Sequence, residues 1–158
     1  MPGNEQCIHQ FYAAFQNKDY VTMQELYHPD ATFSDPVFQN LNSTEVKAMW
    51  EMLITSAKDL EVTFGEIAAD QSKGTCRWDA VYTFSRTGRR VHNRIRAAFE
   101  FRDGRIVKHR DAFDFWRWSR QALGAPGLFL GWTPVVKNEV RSTARKALDK
   151  FMRRADHP

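Results

Sequence analysis

The sequence predicts an α+β fold: three N-terminal helices packed on a strongly curved, mainly antiparallel sheet that rolls into a cone, with a further helix at the C-terminus. Three observations carry this. Apolar residues recur at helical spacing in three segments before residue 58; the pattern then switches to alternation over four long segments between Leu60 and Phe115; and turn sequences containing glycine join those segments. Helices first and strands after is the order of an α+β chain, not of repeated βαβ units.

Each element has a local reason. Asn4 is a candidate cap for a first helix with Ile8, Phe11, Tyr12 and Phe15 on its apolar face, ending at Asn17-Lys18-Asp19. A second helix spans about Tyr20 to Tyr27, where His28-Pro29 breaks it, because the residue before proline disfavours the α region. Residues 31–37 read as a short edge strand with Phe33, Asp35 and Val37 on one face. Asn42 and Glu45 form a capping pair for a third helix, whose face is Val46, Met49, Trp50, Leu53 and Ala57. Strands follow at 60–70, 74–86, 89–102 and 105–115, with turns at Ser72-Lys73-Gly74, Arg86-Thr87-Gly88 and Arg102-Asp103-Gly104. A short helix from Phe115 to Leu123 closes on Gly124. Residues 1–124 thus make one domain; 125–158 add an apolar loop and an amphipathic helix, started by Thr133-Pro134, with Val136, Val140, Ala144, Ala147, Leu148 and Phe151 as its buried stripe.

Bulk properties narrow the function classes. No run of about 20 apolar residues exists for a membrane span, and the first residues carry no basic-then-apolar leader, so a cytoplasmic protein with no membrane partner is expected. Cys7 and Cys76 lack metal-site spacing and read as reduced, buried thiols; no metal is expected. The net charge is +4, and seven basic residues lie in the last 22 positions. They read as a solvated helix face; no aromatic stripe or nucleic-acid motif accompanies them, so nucleic acid is not an expected partner.

The candidate site comes from the last strand. Alternation from Gly104 places Val107, His109, Asp111 and Phe113 on one face and Ile106, Lys108, Arg110, Ala112 and Asp114 on the other. A histidine and a carboxylate on an apolar face must be hydrogen-bonded, either as a core network or as the polar lining of a pocket. Trp78 and Tyr82 face inward on one strand, and Asn93 and Phe99 on the next. Asn93 is either a pocket residue or a strand-end side chain reaching backbone or water. Asp35, His109 and Asp111, with Asn93 and Tyr82, are expected to converge on an aromatic cavity lined by Phe11, Phe15, Phe33, Trp50, Trp78 and Phe99. A carboxylate in such a cavity has its pKa raised by desolvation, which suits proton transfer near neutrality.

The order of elements over residues 5–124, with Asp30-Ala31-Thr32-Phe33-Ser34-Asp35-Pro36-Val37 and the His109-Arg110-Asp111-Ala112-Phe113-Asp114 strand, resembles the nuclear transport factor 2-like superfamily. That superfamily includes ketosteroid isomerase, limonene epoxide hydrolase and polyketide-cyclase-like proteins. The tail looks like a subgroup extension. The resemblance implies a proton-shuttling aspartate at Asp35 and a catalytic acid at Asp111. It also shows departures: the isomerase's oxyanion-hole tyrosine and aspartic acid fall on Phe11 and Ala97, and the hydrolase's water-holding tyrosine and asparagine fall on Phe33 and Asp35. The expected function is binding of an apolar cyclic small molecule, with acid–base isomerisation, cyclisation or hydrolysis by Asp111 and Asp35, tuned by His109. No cofactor is implied, and a homodimer is expected. The alternative is a non-catalytic ligand-binding or association module of the same fold.

Overall fold

The computed structural model describes residues 3–156 as α1 (Gly3–Gln16), α2 (Tyr20–Glu25), β1 (Tyr27–Ser34), β2 (Leu41–Asn42), α3 (Ser43–Ser56), β3 (Glu61–Ala69), β4 (Lys73–Phe84), β5 (Arg89–Arg102), β6 (Arg105–Ala112), α4 (Phe115–Leu123), α5 (Ala125–Leu130) and α6 (Pro134–Asp156). One six-stranded sheet runs β2-β1-β6-β5-β4-β3. Every pairing is antiparallel except β1 with β6, which is parallel. β1 and β6 are far apart in sequence, so this pairing needs the whole β3–β5 meander as its connection.

Helices α1 and α3 lie inside the curl and bury Ile8, Phe11, Tyr12, Phe15, Val46, Met49 and Trp50 against the strands. The curl has local causes. β3 carries a register shift between Gly65 and Ala68, where Glu66 adopts φ 53°, and β5–β6 shifts between Glu100 and Phe101. Such bulges bend and coil a sheet. At Gly74 a Cβ would lie 2.7 Å from Ile8 Cδ1, so the missing side chain lets α1 sit directly on β4.

Several expectations are corrected. Asn4 does not cap α1; its amide donates to the Asp70 and Gln71 carbonyls, tying the helix to the β3–β4 turn. β1 begins at Tyr27, so that residue belongs to the sheet and not to α2. The β5–β6 shift leaves Val107 half-buried and turns Ile106 into the core, reversing the faces predicted before the bulge and preserving them after it. Residues 125–130 form a helix, α5, where a loop is expected; Pro126 in its first turn was the available signal. The Asn42/Glu45 capping box and the α4 limits agree with the sequence reading; α4 is capped by Asp114, whose side chain accepts from the Arg117 amide. On α6, Leu148 is fully buried in the main core, whereas Ala147 is exposed.

Candidate functional site

β6 delivers His109 and Asp111 to the interior. Past the bulge its alternation is strict, with His109 and Asp111 1% and 4% exposed and Lys108, Arg110 and Ala112 outside. The parallel β1–β6 register sets Phe33 beside His109. The imidazole is enclosed by rings: Phe99 at 4.4 Å, Phe33 at 4.9 Å, Phe11 at 5.7 Å and Trp50 at 6.3 Å between centroids. Phe15 and Trp78 complete the wall, 5.0 Å and 6.2 Å from Trp50. The eight predicted residues Phe11, Phe15, Phe33, Trp50, Trp78, Phe99, His109 and Asp111 therefore do meet.

Within this apolar wall runs a single polar thread. Trp50 Nε1–H donates to the Tyr27 hydroxyl at 2.8 Å, the Tyr27 hydroxyl is 2.8 Å from His109 Nδ1, and His109 Nε2 is 2.9 Å from Asp111 Oδ1. One direction satisfies every group along it. The indole can only donate, so the Tyr27 oxygen accepts from it; the Tyr27 O–H then has Nδ1 as its acceptor, and Nε2 carries the ring proton and donates to Asp111. All four groups are buried. This is the satisfied network that a histidine and a carboxylate on a core face require. The second oxygen of Asp111 has no donor among the described residues, which leaves it available to another group.

Asp35 sits past the end of β1, in the turn before β2, and not on the strand face predicted for it. Its Oδ1 accepts from the Val37 and Phe38 amides at 2.7 and 2.6 Å. The residue is half-buried, and burial pushes its carboxyl up to about 7. The Asp111 charge pushes the same way, whereas the two amides and Arg141 oppose it. The two carboxylates thus sense each other across one interior. Tyr82, also half-buried, holds its hydroxyl 2.8 Å from Trp118 Nε1 and feels the Asp35 charge. Asn93 lies on the same sheet face opposite Ala80, half-buried, at the edge of the group.

Sequence reasoning missed Tyr27 and Tyr12. Tyr27 is the link that orients His109; its signal was the extended backbone that Pro29 imposes just after it. Tyr12 is fully buried, and its hydroxyl has no partner among the described residues, as is also true of Trp78 Nε1. Burial, then the Asp111 charge, holds the Tyr12 phenol well above its usual range. Both thiols are buried and free; burial pushes Cys7 up to about 11 and Cys76 to about 12, so neither is a ready nucleophile. Among the described residues no group of three His, Cys, Asp or Glu side chains could hold a metal ion.

Two surface depressions flank the molecule. One, of about 500 Å³, lies over β3–β6 and includes Lys73, Lys108 and Arg110; the other lies along α1 and α2. Neither includes Asp35, His109 or Asp111.

Comparison with known proteins places this architecture. The SnoaL-like domain matches residues 8–109. Among solved structures, IdmH from Streptomyces antibioticus, a proposed polyketide cyclase, superposes with TM-score 0.64 at 25% identity, covering 77% of this chain and 99% of its own. An M. tuberculosis epoxide hydrolase of the limonene-epoxide-hydrolase-like type gives 0.63 at 22% identity, with 80% and 92% covered. AclR from Streptomyces galilaeus, a proposed hydroxylase, gives 0.61 at 19% identity, with 71% and 89% covered. No curated protein sequence matches the chain. With more than half its length matched, from α1 to the histidine of β6, the chain belongs to the SnoaL-like domain family of the nuclear transport factor 2-like superfamily.

Proposed function

We propose that this protein is an acid–base catalyst for an apolar cyclic small molecule, with Asp111 as the proton-transferring group. The observation that carries this reading is the thread from Trp50 through Tyr27 and His109 to Asp111, whose second carboxyl oxygen receives no hydrogen bond from the described residues. Such a thread fixes the carboxyl group's position and feeds it a hydrogen bond that strengthens as negative charge gathers there. Asp35, with its carboxyl near neutrality, serves as the second acid or base at the rim. Tyr12 O–H and Trp78 N–H, two buried donors without partners among the described residues, are suited to hold a substrate oxygen near Asp111. Tyr82 and Asn93 line the approach. The reaction class is isomerisation, cyclisation or ring-opening hydrolysis, the chemistry suggested by structural neighbours named as a polyketide cyclase and an epoxide hydrolase.

The test is a thermal-shift screen with cyclic ketones, lactones, epoxides and aromatic polyketide mimics on wild type and Asp111→Asn, followed by turnover assays of each hit. A binder at 100-fold excess over Kd raises stability by about 2.7 kcal/mol. Turnover by wild type and its loss in Asp111→Asn supports the reading.

A second reading is a non-catalytic binding or association module. It is favoured by the density of rings around His109, which occupy much of the interior themselves. Absence of any hit, with Asp111→Asn altering only the melting temperature, selects it.

A further inference from the structure

The C-terminal end of the molecule carries an apolar knob that the site above does not use. α5 is pressed onto α4 by two glycines: a Cβ at Gly127 would lie 1.9 Å from the Ser119 carbonyl oxygen, and one at Gly131 2.0 Å from Ser119 Oγ. With the glycines inward, the large side chains of the segment are turned outward. Leu128, Phe129, Leu130, Trp132 and Val135 are 45, 68, 53, 72 and 74% exposed. Two indoles are fixed by their N–H groups, Trp116 to the Leu128 carbonyl at 3.2 Å and Trp132 to the Phe129 carbonyl at 3.0 Å. Five large apolar side chains exposed between residues 128 and 135, on a segment packed against α4, mark a place of contact.

The charge around it says what the contact is. From Phe115 to Asn138 the chain contains no Asp or Glu, and its charged residues are Arg117, Arg120 and Lys137. Arg120 stands 4.1 Å over the Trp116 ring, and Lys137 5.8 Å from the Phe115 ring. Every charged side chain within the segment is a cation, and the carboxylates of Asp114 and Glu139 stand only at its two ends; an apolar tip of this kind matches a partner that is apolar within and anionic at its edge. A second copy meeting this face about a two-fold axis would set the same cations against each other. A bilayer containing anionic lipid offers both halves of the match, with indoles at the headgroup level.

We propose that the α4–α5 hairpin and the start of α6 dock on anionic lipid bilayers, with Leu128, Phe129, Leu130 and Trp132 entering the headgroup–acyl boundary and Arg117 and Lys137 meeting lipid phosphates. No described helix is long and apolar enough to cross a membrane, so the contact is peripheral. It stands independently of the acid–base reading, and would let an apolar molecule reach the protein from the lipid phase.

The full-length protein is sedimented with vesicles of phosphatidylcholine, with and without phosphatidylglycerol, at low and high salt, and its mass is measured by light scattering. Expected is retention on the anionic vesicles, weakened about tenfold by salt, by omission of phosphatidylglycerol, and by Phe129→Ser/Trp132→Ser. These side chains are exposed, so the double variant should keep the wild-type melting temperature; if it does not, Leu128→Ser/Leu130→Ser replaces it. A smaller loss is expected for Lys137→Gln. Absence of retention overturns the proposal, as does equal retention of the variant. A wild-type dimer that the double variant converts to monomer also overturns it, because a second copy would then be the occupant.

Discussion

The two aspartates of the interior are built in opposite ways. Asp111 stands on a sheet face and is held by side chains alone, through His109, Tyr27 and Trp50. Asp35 stands in a turn and is held by backbone amides, with Arg141 of α6 close enough to lower its proton affinity. A carboxylate held by a side-chain thread depends on every member of that thread. One held by a turn depends on the local backbone and on burial. The difference teaches that Asp111 is positioned by a relay of side chains, whereas the turn carrying Asp35 is where burial raises a carboxyl toward neutrality.

The sharpest way to break this contrast is His109→Leu. It strands Asp111 in an apolar wall and should destabilise by about 3–5 kcal/mol, read by urea denaturation. A loss below 1 kcal/mol would mean that Asp111 does not rely on the histidine. Next comes Asp111→Asn, which keeps an acceptor for His109 Nε2–H. Stability should fall by only about 1 kcal/mol. Turnover of a substrate found in the screen should fall about 10²–10⁴-fold. Tyr27→Phe removes the acceptor of Trp50 and the donor to His109 together and should cost about 2 kcal/mol, with the aromatic packing intact.

At the rim the expected effect is one of pH. The Asp35 carboxyl is raised from its ordinary 3.8 to about 7 when folded, so the folded chain holds a proton that the unfolded chain releases. Stability therefore declines as pH rises from about 4 to about 7. Asp35→Asn should flatten that decline and stabilise the protein at pH 8, because an asparagine oxygen can still accept the Val37 and Phe38 amides. The smallest effect is Arg141→Gln, which leaves the fold intact within about 1 kcal/mol. It should move the Asp35 titration upward, since the guanidinium, bonded to the Pro36 carbonyl at 2.9 Å, no longer favours the charged carboxylate. Chemical unfolding across pH 4–8 separates these outcomes.

Much of this was legible in the sequence, for physical reasons that also mark where reading stopped. Local signals held: the Asn42/Glu45 box, the closing of α4 on Gly124, and the alternation that put Trp78, Phe99, His109 and Asp111 on one face. What failed was non-local or irregular. Tyr27 reaches His109 only because β1 pairs in parallel with a strand some 80 residues away, which no local period encodes. Ile106 and Val107 exchanged faces at a bulge whose single inserted residue leaves no compositional trace. Asp35 was assigned to a strand because period-2 counting cannot see where β1 gives way to a turn.

The thread's direction is the central claim, and the ring nitrogen NMR spectrum of His109 tests it most directly. The arrangement predicts a neutral ring with the proton on Nε2, bonded to Asp111, and a bare Nδ1 that shifts when Tyr27→Phe removes its donor. A proton found on Nδ1, or an Nδ1 signal unchanged by Tyr27→Phe, would contradict the claim that Asp111 is positioned through His109 and Tyr27.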